Sequence, residues 1–177
     1  MKRTITIKRI ETPLGSMFAG SINKGICFLE FVDRQSKDNG LAKLEKLLDA
    51  AVVEGDDQNL LALTMQLDEY FQGERKDFNI PLAIVGTPFQ SKVWESLQNI
   101  PYGEVISYQE QARRIGCLKA VRAVGRANGA NRIAILIPCH RVIGKNGSLV
   151  GYKGGLWRKK RLLALEKSNK TRQTSRK

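Results

Sequence analysis

Ser107-Tyr108-Gln109-Glu110-Gln111-Ala112-Arg113-Arg114-Ile115-Gly116-Cys117-Leu118-Lys119-Ala120-Val121-Arg122-Ala123-Val124-Gly125-Arg126-Ala127-Asn128 encodes two short helices joined by a tight turn. Ser107 and Glu110 form the pattern of a capping box that opens the first helix. Gly116 can take the left-handed conformation that ends it. A second helix, from Lys119 to about Asn128, follows at once, and this pairing is a helix-turn-helix. On the second helix Lys119, Arg122 and Arg126 fall at i, i+3 and i+7 on one face. Ala120, Ala123, Gly125, Ala127 and Gly129 keep its surface low, so that backbone can approach a groove closely. Lys119, Arg122, Ala123, Arg126 and Ala127 are therefore the candidate DNA-binding residues.

Working outward, Thr87-Pro88-Phe89-Gln90 caps an earlier helix with Phe89, Val93, Leu97 and Ile100 on one side. Pro101-Tyr102-Gly103 stops it, and Glu104-Val105-Ile106 is extended. On the other side, Asn128-Gly129-Ala130-Asn131 reads as a turn leading into an apolar strand, Ile135 to Ile137, that carries Pro138-Cys139-His140-Arg141. His140 is the sole histidine of the chain. A free thiol is only a few per cent thiolate near neutral pH, so an adjacent imidazole that can take the proton, and a guanidinium that favours the anion, give this run chemical potential. Neighbouring side chains of extended backbone point apart, so a water-bridged Cys139–His140 pair is expected unless the chain turns here. Beyond it, Gly144-Lys145-Asn146-Gly147 is a hairpin turn and Gly151-Tyr152-Lys153-Gly154-Gly155 a flexible loop. Trp157, Arg161, Leu162 and Leu165 then suggest a closing helix that holds Glu166 near its end. The basic segment 168–177 is expected to be disordered.

Before Thr87 the character differs. Thr4 to Ile10 alternates with period two, and Met17 to Ile22 and Ile26 to Val32 continue a small antiparallel meander in which Cys27 is a core residue. Leu41, Leu44, Leu48, Ala51 and Val52 mark one amphipathic helix, and Leu60, Leu63, Leu67, Tyr70 and Phe71 mark a second. Phe78 to Val85 is a last extended piece. The chain is thus α+β, with a small α/β domain over 1–86, a mostly helical domain over 87–167 and the tail.

Of the 30 basic residues 19 lie beyond Thr87, against 4 of the 17 acidic ones, so the whole excess of the net +13 belongs to the second half. Such asymmetry points to a polyanion, nucleic acid ahead of a membrane surface. Three widely spaced cysteines and one histidine argue against a disulfide framework and against structural zinc, so no metal or cofactor is expected. The start of the chain lacks the apolar core of a signal peptide, and no run reaches transmembrane length. A reducing cytoplasm is the expected compartment, and a monomer the expected state.

The second half resembles the O6-alkylguanine-DNA alkyltransferase family, methylated-DNA-protein-cysteine methyltransferases, over essentially its whole length. The resemblance rests on Gly103-Glu104-Val105-Ile106-Ser107-Tyr108, Lys119-Ala120-Val121-Arg122-Ala123-Val124-Gly125, Asn131, Ile137-Pro138-Cys139-His140-Arg141-Val142 and Gly151-Tyr152-Lys153-Gly154-Gly155. The first half is similar to that family's RNase H-like domain, and the second implies a winged-helix-like arrangement with an active-site loop. The resemblance implies single-turnover transfer of the alkyl group from O6-alkylguanine in double-stranded DNA to Cys139, with O4-alkylthymine a further candidate substrate. It implies a relay of His140 and Glu166, Asn131 bracing the reactive turn, Tyr108 donating to the base and Arg122 filling the gap left by a base flipped from the minor-groove side. Val142, Tyr152, Lys153 and Gly154 would line the base pocket, with Lys153 where other members often carry serine or arginine. A non-catalytic helix-turn-helix DNA-binding protein or alkyl-lesion sensor is the competing reading.

Overall fold

A computed structural model describes residues 3–32 and 37–174 of the chain. Met1, Lys2 and the last three residues of the expected tail lie outside the described residues. The backbone separates into two compact units, Met1–Val85 and Gly86–Lys177.

The first unit runs β1 (Arg3–Ile10), β2 (Met17–Ile22), β3 (Gly25–Phe31), α1 (Lys37–Leu48), β4 (Ala50–Glu54) and α2 (Gln58–Gln72). The sheet order is β3-β2-β1-β4, with β1–β2 and β2–β3 antiparallel and β1–β4 parallel. Alternation along β1 drives Ile5 and Ile7 into a core shared with Phe28, Leu44 and Leu48. The stripe of α2 is equally legible: Leu60, Leu63, Leu67 and Tyr70 are buried, Asp57 caps the first turn through Leu60 N–H, and Gly73 closes the last. The free edge of β3 is covered by the extended segment after α2, where Ile26 N–H donates to Pro81 O at 2.9 Å and Ala83 N–H to Ile26 O at 2.8 Å. That approach leaves no room for a side chain at Gly25, whose Cβ would stand 2.1 Å from Pro81 O. Cys27 is 2 % exposed, and burial pushes its thiol up to about 12, which makes it inert.

One helix of the sequence reading is too long. The stripe of Leu41, Leu44 and Leu48 ends with α1, and Ala51 and Val52 belong to β4, the strand that pairs in parallel with β1. Asp49 breaks the helix at φ 46°, and the β-branched pair Val52-Val53 suits the pleated edge that follows. The helical spacing of Ala51 and Val52 was a coincidence of period.

The second unit runs α3 (Pro88–Gln98), β5 (Ile106–Ser107), α4 (Tyr108–Arg114), a 3₁₀ turn at Leu118–Ala120, α5 (Val121–Gly129), a 3₁₀ turn at Cys139–Arg141, β6 (Val142–Ile143) and α6 (Leu156–Thr174). Thr87 and Gln90 form the full capping box on α3. At α4 only half of the expected box forms: Ser107 Oγ accepts from Glu110 N–H, while the Glu110 carboxylate turns to Arg113 and Arg114. Gly116 sits at φ 71°, with Cys117 N–H on Ala112 O and Gly116 N–H on Arg113 O, a Schellman ending that aims the chain into α5.

The helix-turn-helix is locked from inside. Gln111 and Asn128 exchange side-chain amide hydrogen bonds of 2.7 and 3.2 Å between α4 and α5, and Trp94 Nε1–H of α3 donates to Ala127 O at 2.8 Å. The first turn of the expected second helix is 3₁₀, so Lys119 precedes the α-helix that carries Arg122 and Arg126.

Three further expectations are corrected. Ile135 to Ile137 is no strand; the chain turns there, with Ile135 at φ 70°. The turn at 144–147 closes through Gly147 N–H on Gly144 O, but β6 pairs in parallel with β5 instead of forming a hairpin across it. The chain from 168 to Thr174 continues α6, where Asn169 is buried and donates to the Tyr102 hydroxyl at 3.3 Å, a partner that holds the helix past the expected end.

A Cβ added at Gly116 or at Gly129 would meet nothing within 4 Å, so the two positions differ in backbone conformation alone. Gly116→Ala is expected to cost about 1–2 kcal/mol of stability, whereas Gly129→Ala, at the end of α5, is expected to be neutral or stabilising by up to about 1 kcal/mol. Urea denaturation of the two variants checks the contrast; equal effects would remove the left-handed ending as the cause.

Candidate active site

The backbone from Asn131 to Val142 is a chain of tight turns. Leu136 N–H donates to Ala134 O at 2.8 Å around Ile135, whose positive φ makes this the strained form of γ-turn. Pro138, at φ −82° and ψ 64°, then centres an inverse γ-turn that Cys139 N–H closes on Ile137 O at 2.8 Å. Arg141 N–H on Pro138 O completes the 3₁₀ turn. A β-branched residue with positive φ persists only where its surroundings enforce it, and Ile135 is 2 % exposed within the core of this unit.

Asn131 is the staple of this segment. Its Nδ2 donates to Ile137 O at 2.8 Å and to Cys139 Sγ at 3.3 Å, and its Oδ1 accepts from Ile133 N–H at 2.9 Å. Cys139 is thereby held with its sulfur facing a donor. Burial pushes the thiol up, and the Asn131 contact and the charge of Lys159 act against that rise.

His140 and Glu166 are fully buried, and His140 Nε2 stands 2.8 Å from Glu166 Oε1. The same carboxylate takes Arg141 in a two-pronged contact, Nε to Oε2 at 2.9 Å and Nη2 to Oε1 at 3.0 Å, and accepts from Gly103 N–H at 3.0 Å. Burial works against ionisation of Glu166, yet the His140 and Arg141 contacts hold its carboxyl far below the usual range. Burial likewise lowers His140 and keeps the ring neutral. A neutral ring beside a carboxylate carries its proton on Nε2, which leaves Nδ1 a lone-pair acceptor. Nδ1 has no hydrogen-bond partner among the described residues, and only one other buried polar side-chain atom shares that condition, Tyr152 Oη in the loop expected to line the base pocket. Buried polar atoms left unpaired are uncommon and call for an explanation.

Arg141 takes a different part from the one expected. Its guanidinium is tied to Glu166 and to Ile100 O at 2.6 Å, with the Tyr102 ring 5.7 Å away, so its charge is balanced by the carboxylate and is not directed at the thiol. The cation coupled to Cys139 is Lys159, one of four consecutive cations from Arg158 to Arg161. Lys159 is 0 % exposed, and its Nζ donates to Val142 O at 2.5 Å, Val150 O at 2.8 Å and Gly151 O at 3.3 Å. Along α6, Trp157 and Arg161 are exposed and Arg158 is largely covered, while Lys159, Leu162, Glu166 and Asn169 line the buried side. Their 3-4-3 spacing was a signal available in the sequence, masked by three polar residues out of four.

Tyr108, at the start of α4, shares its hydroxyl hydrogen between Val150 O at 3.1 Å and Gly151 O at 3.3 Å. Burial raises its pKa and the nearby Cys139 raises it further, so it stays a donor. Val142 is buried with its carbonyl engaged by Lys159, and Gly154 O accepts from Arg158 at 2.8 Å. Lys153 is exposed on the same loop. Lys119, Arg122 and Arg126 are exposed and Ala123 is half-buried, but Ala127 is 4 % exposed and turns to Trp94, so it does not belong to the exposed face.

The chain matches two families, one described as 6-O-methylguanine DNA methyltransferase, DNA binding domain, over residues 88–168, and one as 6-O-methylguanine DNA methyltransferase, ribonuclease-like domain, over residues 5–84. It is 42 % identical to the methylated-DNA–protein-cysteine methyltransferase of Mycobacterium leprae, across 92 % of this chain and 93 % of that one. It is 58 % identical over 96 residues to the constitutive methylated-DNA–protein-cysteine methyltransferase of Bacillus subtilis; that match spans 54 % of this chain and 58 % of the relative's length. Among solved structures it is similar to a Mycobacterium tuberculosis protein crystallised in complex with DNA, at a TM-score of 0.78 and 39 % identity, covering 94 % of each chain.

Removing Glu166 would strand Arg141 as a buried cation, so Glu166→Leu is expected to cost about 3–5 kcal/mol. Adding Arg141→Met should cost less than the sum of the two single changes, with a coupling of at least about 1 kcal/mol. Chemical denaturation of the cycle measures it, and strict additivity would show that the pair is not coupled.

Proposed function

The chain belongs to the 6-O-methylguanine DNA methyltransferase family, and we infer from this that it repairs alkylated DNA by moving the alkyl group from O6 of guanine onto its own Cys139. The observation that carries the assignment of the thiol is the bent turn in which Asn131 holds Sγ, followed at once by a neutral histidine whose Nδ1 has no hydrogen-bond partner among the described residues. The thiol proton passes to Nδ1, directly or through water, and Glu166 stabilises the charge that forms on the ring. The thiolate attacks the alkyl carbon in line; the S–C bond forms as the C–O6 bond breaks, and guanine leaves with the electron pair. A donor is needed where that charge develops, and Tyr108 is the group proposed to donate to the base. Its product is a thioether, which water does not cleave, so each molecule acts once.

An alkyl group stacked in duplex is out of reach of a thiol set back in a half-buried turn, so the target base must leave the stack. Arg122, exposed on α5, is proposed to fill the gap, while Lys119 and Arg126 are proposed to contact phosphate. Tyr152, Lys153, Gly154 and the carbonyls of Cys139 and Val142 are proposed to surround the extruded base. The basic second half fits a DNA partner. Among the described residues no helix is long and apolar enough to cross a membrane, and the proposed setting is a monomer in the cytoplasm. The non-catalytic alternative is not favoured, because the position that would hold the alkyl group is a free cysteine.

Incubation with an O6-methylguanine oligonucleotide is expected to add one methyl group to the intact mass, located at Cys139 by peptide mapping and absent from Cys139→Ala. A methyl group at Cys27 or Cys117 would overturn the assignment.

Arg122→Ala is expected to slow repair of a lesion in duplex far more than reaction with free O6-benzylguanine, which needs no extrusion. Arg126→Ala is expected instead to weaken all DNA binding and lower the salt slope by about one unit. If Arg122→Ala slows both substrates alike, Arg122 supports the pocket and is not the wedge.

A further inference from the structure

Of the charged side chains that are fully buried in the second unit, Lys159 is the one without an opposite charge beside it among the described residues. Arg141 and Glu166 neutralise one another, and His140 is neutral. Lys159 is fully buried, and its three hydrogen bonds all go to backbone carbonyls. No carboxylate pairs with it among the described residues. An ammonium in that position is costly without an opposite charge. The groups that face it are Cys139 and His140 of the reactive turn and the Tyr108 ring of α4, 5.7 Å from Nζ; on its own helix Glu166 is already paired. Of these Cys139 is the one that the proposed reaction turns into an anion.

The carbonyls that hold Lys159 also matter. Val142 closes the 3₁₀ turn of Cys139 through its own N–H on Cys139 O, so the Lys159 contact to Val142 O grips the end of the reactive turn. Val150 and Gly151 belong to the loop proposed to line the base pocket, and Tyr108 donates to the same two carbonyls. When Tyr108 turns to a bound base, Lys159 keeps those acceptors satisfied.

We propose that Lys159 is a positioning residue for alkyl transfer: its ammonium is the counter-charge of the Cys139 thiolate, and it clamps the pocket loop to the reactive turn. The proposal rests on the alkyl-transfer reading of Cys139 and assigns the cationic partner that Arg141 does not provide. Ionisation of Cys139, once its proton has passed through His140 to solvent, sets an anion against this ammonium. Burial brings Lys159 down to about 8, so the ammonium that supports the thiolate is present at neutral pH and is lost as pH rises beyond that point.

The test is titration of the Cys139 thiolate by its ultraviolet absorbance and by iodoacetamide alkylation, read against Cys139→Ala, in the wild type, Lys159→Gln and Lys159→Met. Glutamine keeps hydrogen-bond donors without charge; methionine keeps neither. Both are expected to raise the thiol titration by about one pH unit, a tenfold loss of thiolate at neutral pH, and to slow transfer most at neutral pH and least in alkali. Lys159→Arg, which keeps the charge, is expected to return the titration towards the wild type. Should the methionine variant fail to fold, glutamine carries the same comparison. An unmoved titration in Lys159→Gln, with transfer slowed equally at every pH, would overturn the counter-charge and leave only a clamp. Wild-type protein that takes no methyl group from the oligonucleotide would sink the alkyl-transfer reading instead, and the titration, which needs no substrate, would still report on Lys159.

Discussion

Everything in the second unit converges on one carboxylate. Glu166 lies in the interior of α6, yet its two oxygens reach the turn after α3 through Gly103 N–H, the reactive turn through His140, and the next residue through both prongs of Arg141. A buried ion pair is weak support for stability, since desolvation offsets most of the attraction. Its value is geometric. An ionised Glu166 demands donors from fixed directions, and a bidentate guanidinium and an oriented imidazole satisfy that demand in one arrangement. The tautomer of His140 follows from it, and with the tautomer comes a basic nitrogen on the ring edge away from Glu166.

The thiol is prepared by opposing forces. Burial alone would keep Cys139 protonated; the Asn131 amide and the Lys159 charge pull the other way. The backbone shape that places Sγ among these groups is strained at Ile135, and the strain is held by the hydrogen bonds of Asn131 on both sides of the turn and by the packing of Ile133, Ile135 and Ile137 in the core. A site proposed to ionise a half-buried thiol needs its partners fixed in advance, and this segment fixes them with turns that a regular strand could not make.

Capping and period were legible because they are local. Thr87, Ser107 and Gly116 act on backbone within a few residues, and the stripes of α2 and α3 repeat at helical spacing regardless of what they meet. The errors arise where tertiary partners decide. Ala51 and Val52 fit a helical period but pair with β1; the apolar run at 135–137 has strand composition but is bent by Asn131, far closer in space than its pattern reveals. The tail after Lys167 reads as solvated until Tyr102 is known to receive Asn169. Lys159 was hidden for the same reason, since four consecutive cations look like a surface, and only the face shared with Leu162 and Glu166 tells them apart. The resemblance carried the roles of Cys139, His140 and Asn131, but the residues alone did not reveal that Arg141 serves the carboxylate.

The helix-turn-helix and the pocket are coupled through α4. Tyr108 begins that helix and bonds the loop at Val150 and Gly151, while Gln111, one turn later, exchanges amide hydrogen bonds with Asn128 of α5. Gly125 brings α5 against the Tyr108 ring, where an added Cβ would lie 3.8 Å away. The exposed cations of α5 and the hydroxyl proposed to meet the base are therefore tied to one short helix whose interior contacts are buried and fully hydrogen-bonded. A groove-bound α5 would fix where Tyr108 stands, and Tyr108 with Lys159 fixes the loop over Cys139. On the proposed reading, placement of the backbone of DNA and placement of the reacting atom would be set by the same few packed residues, as a single use of Cys139 on one lesion requires.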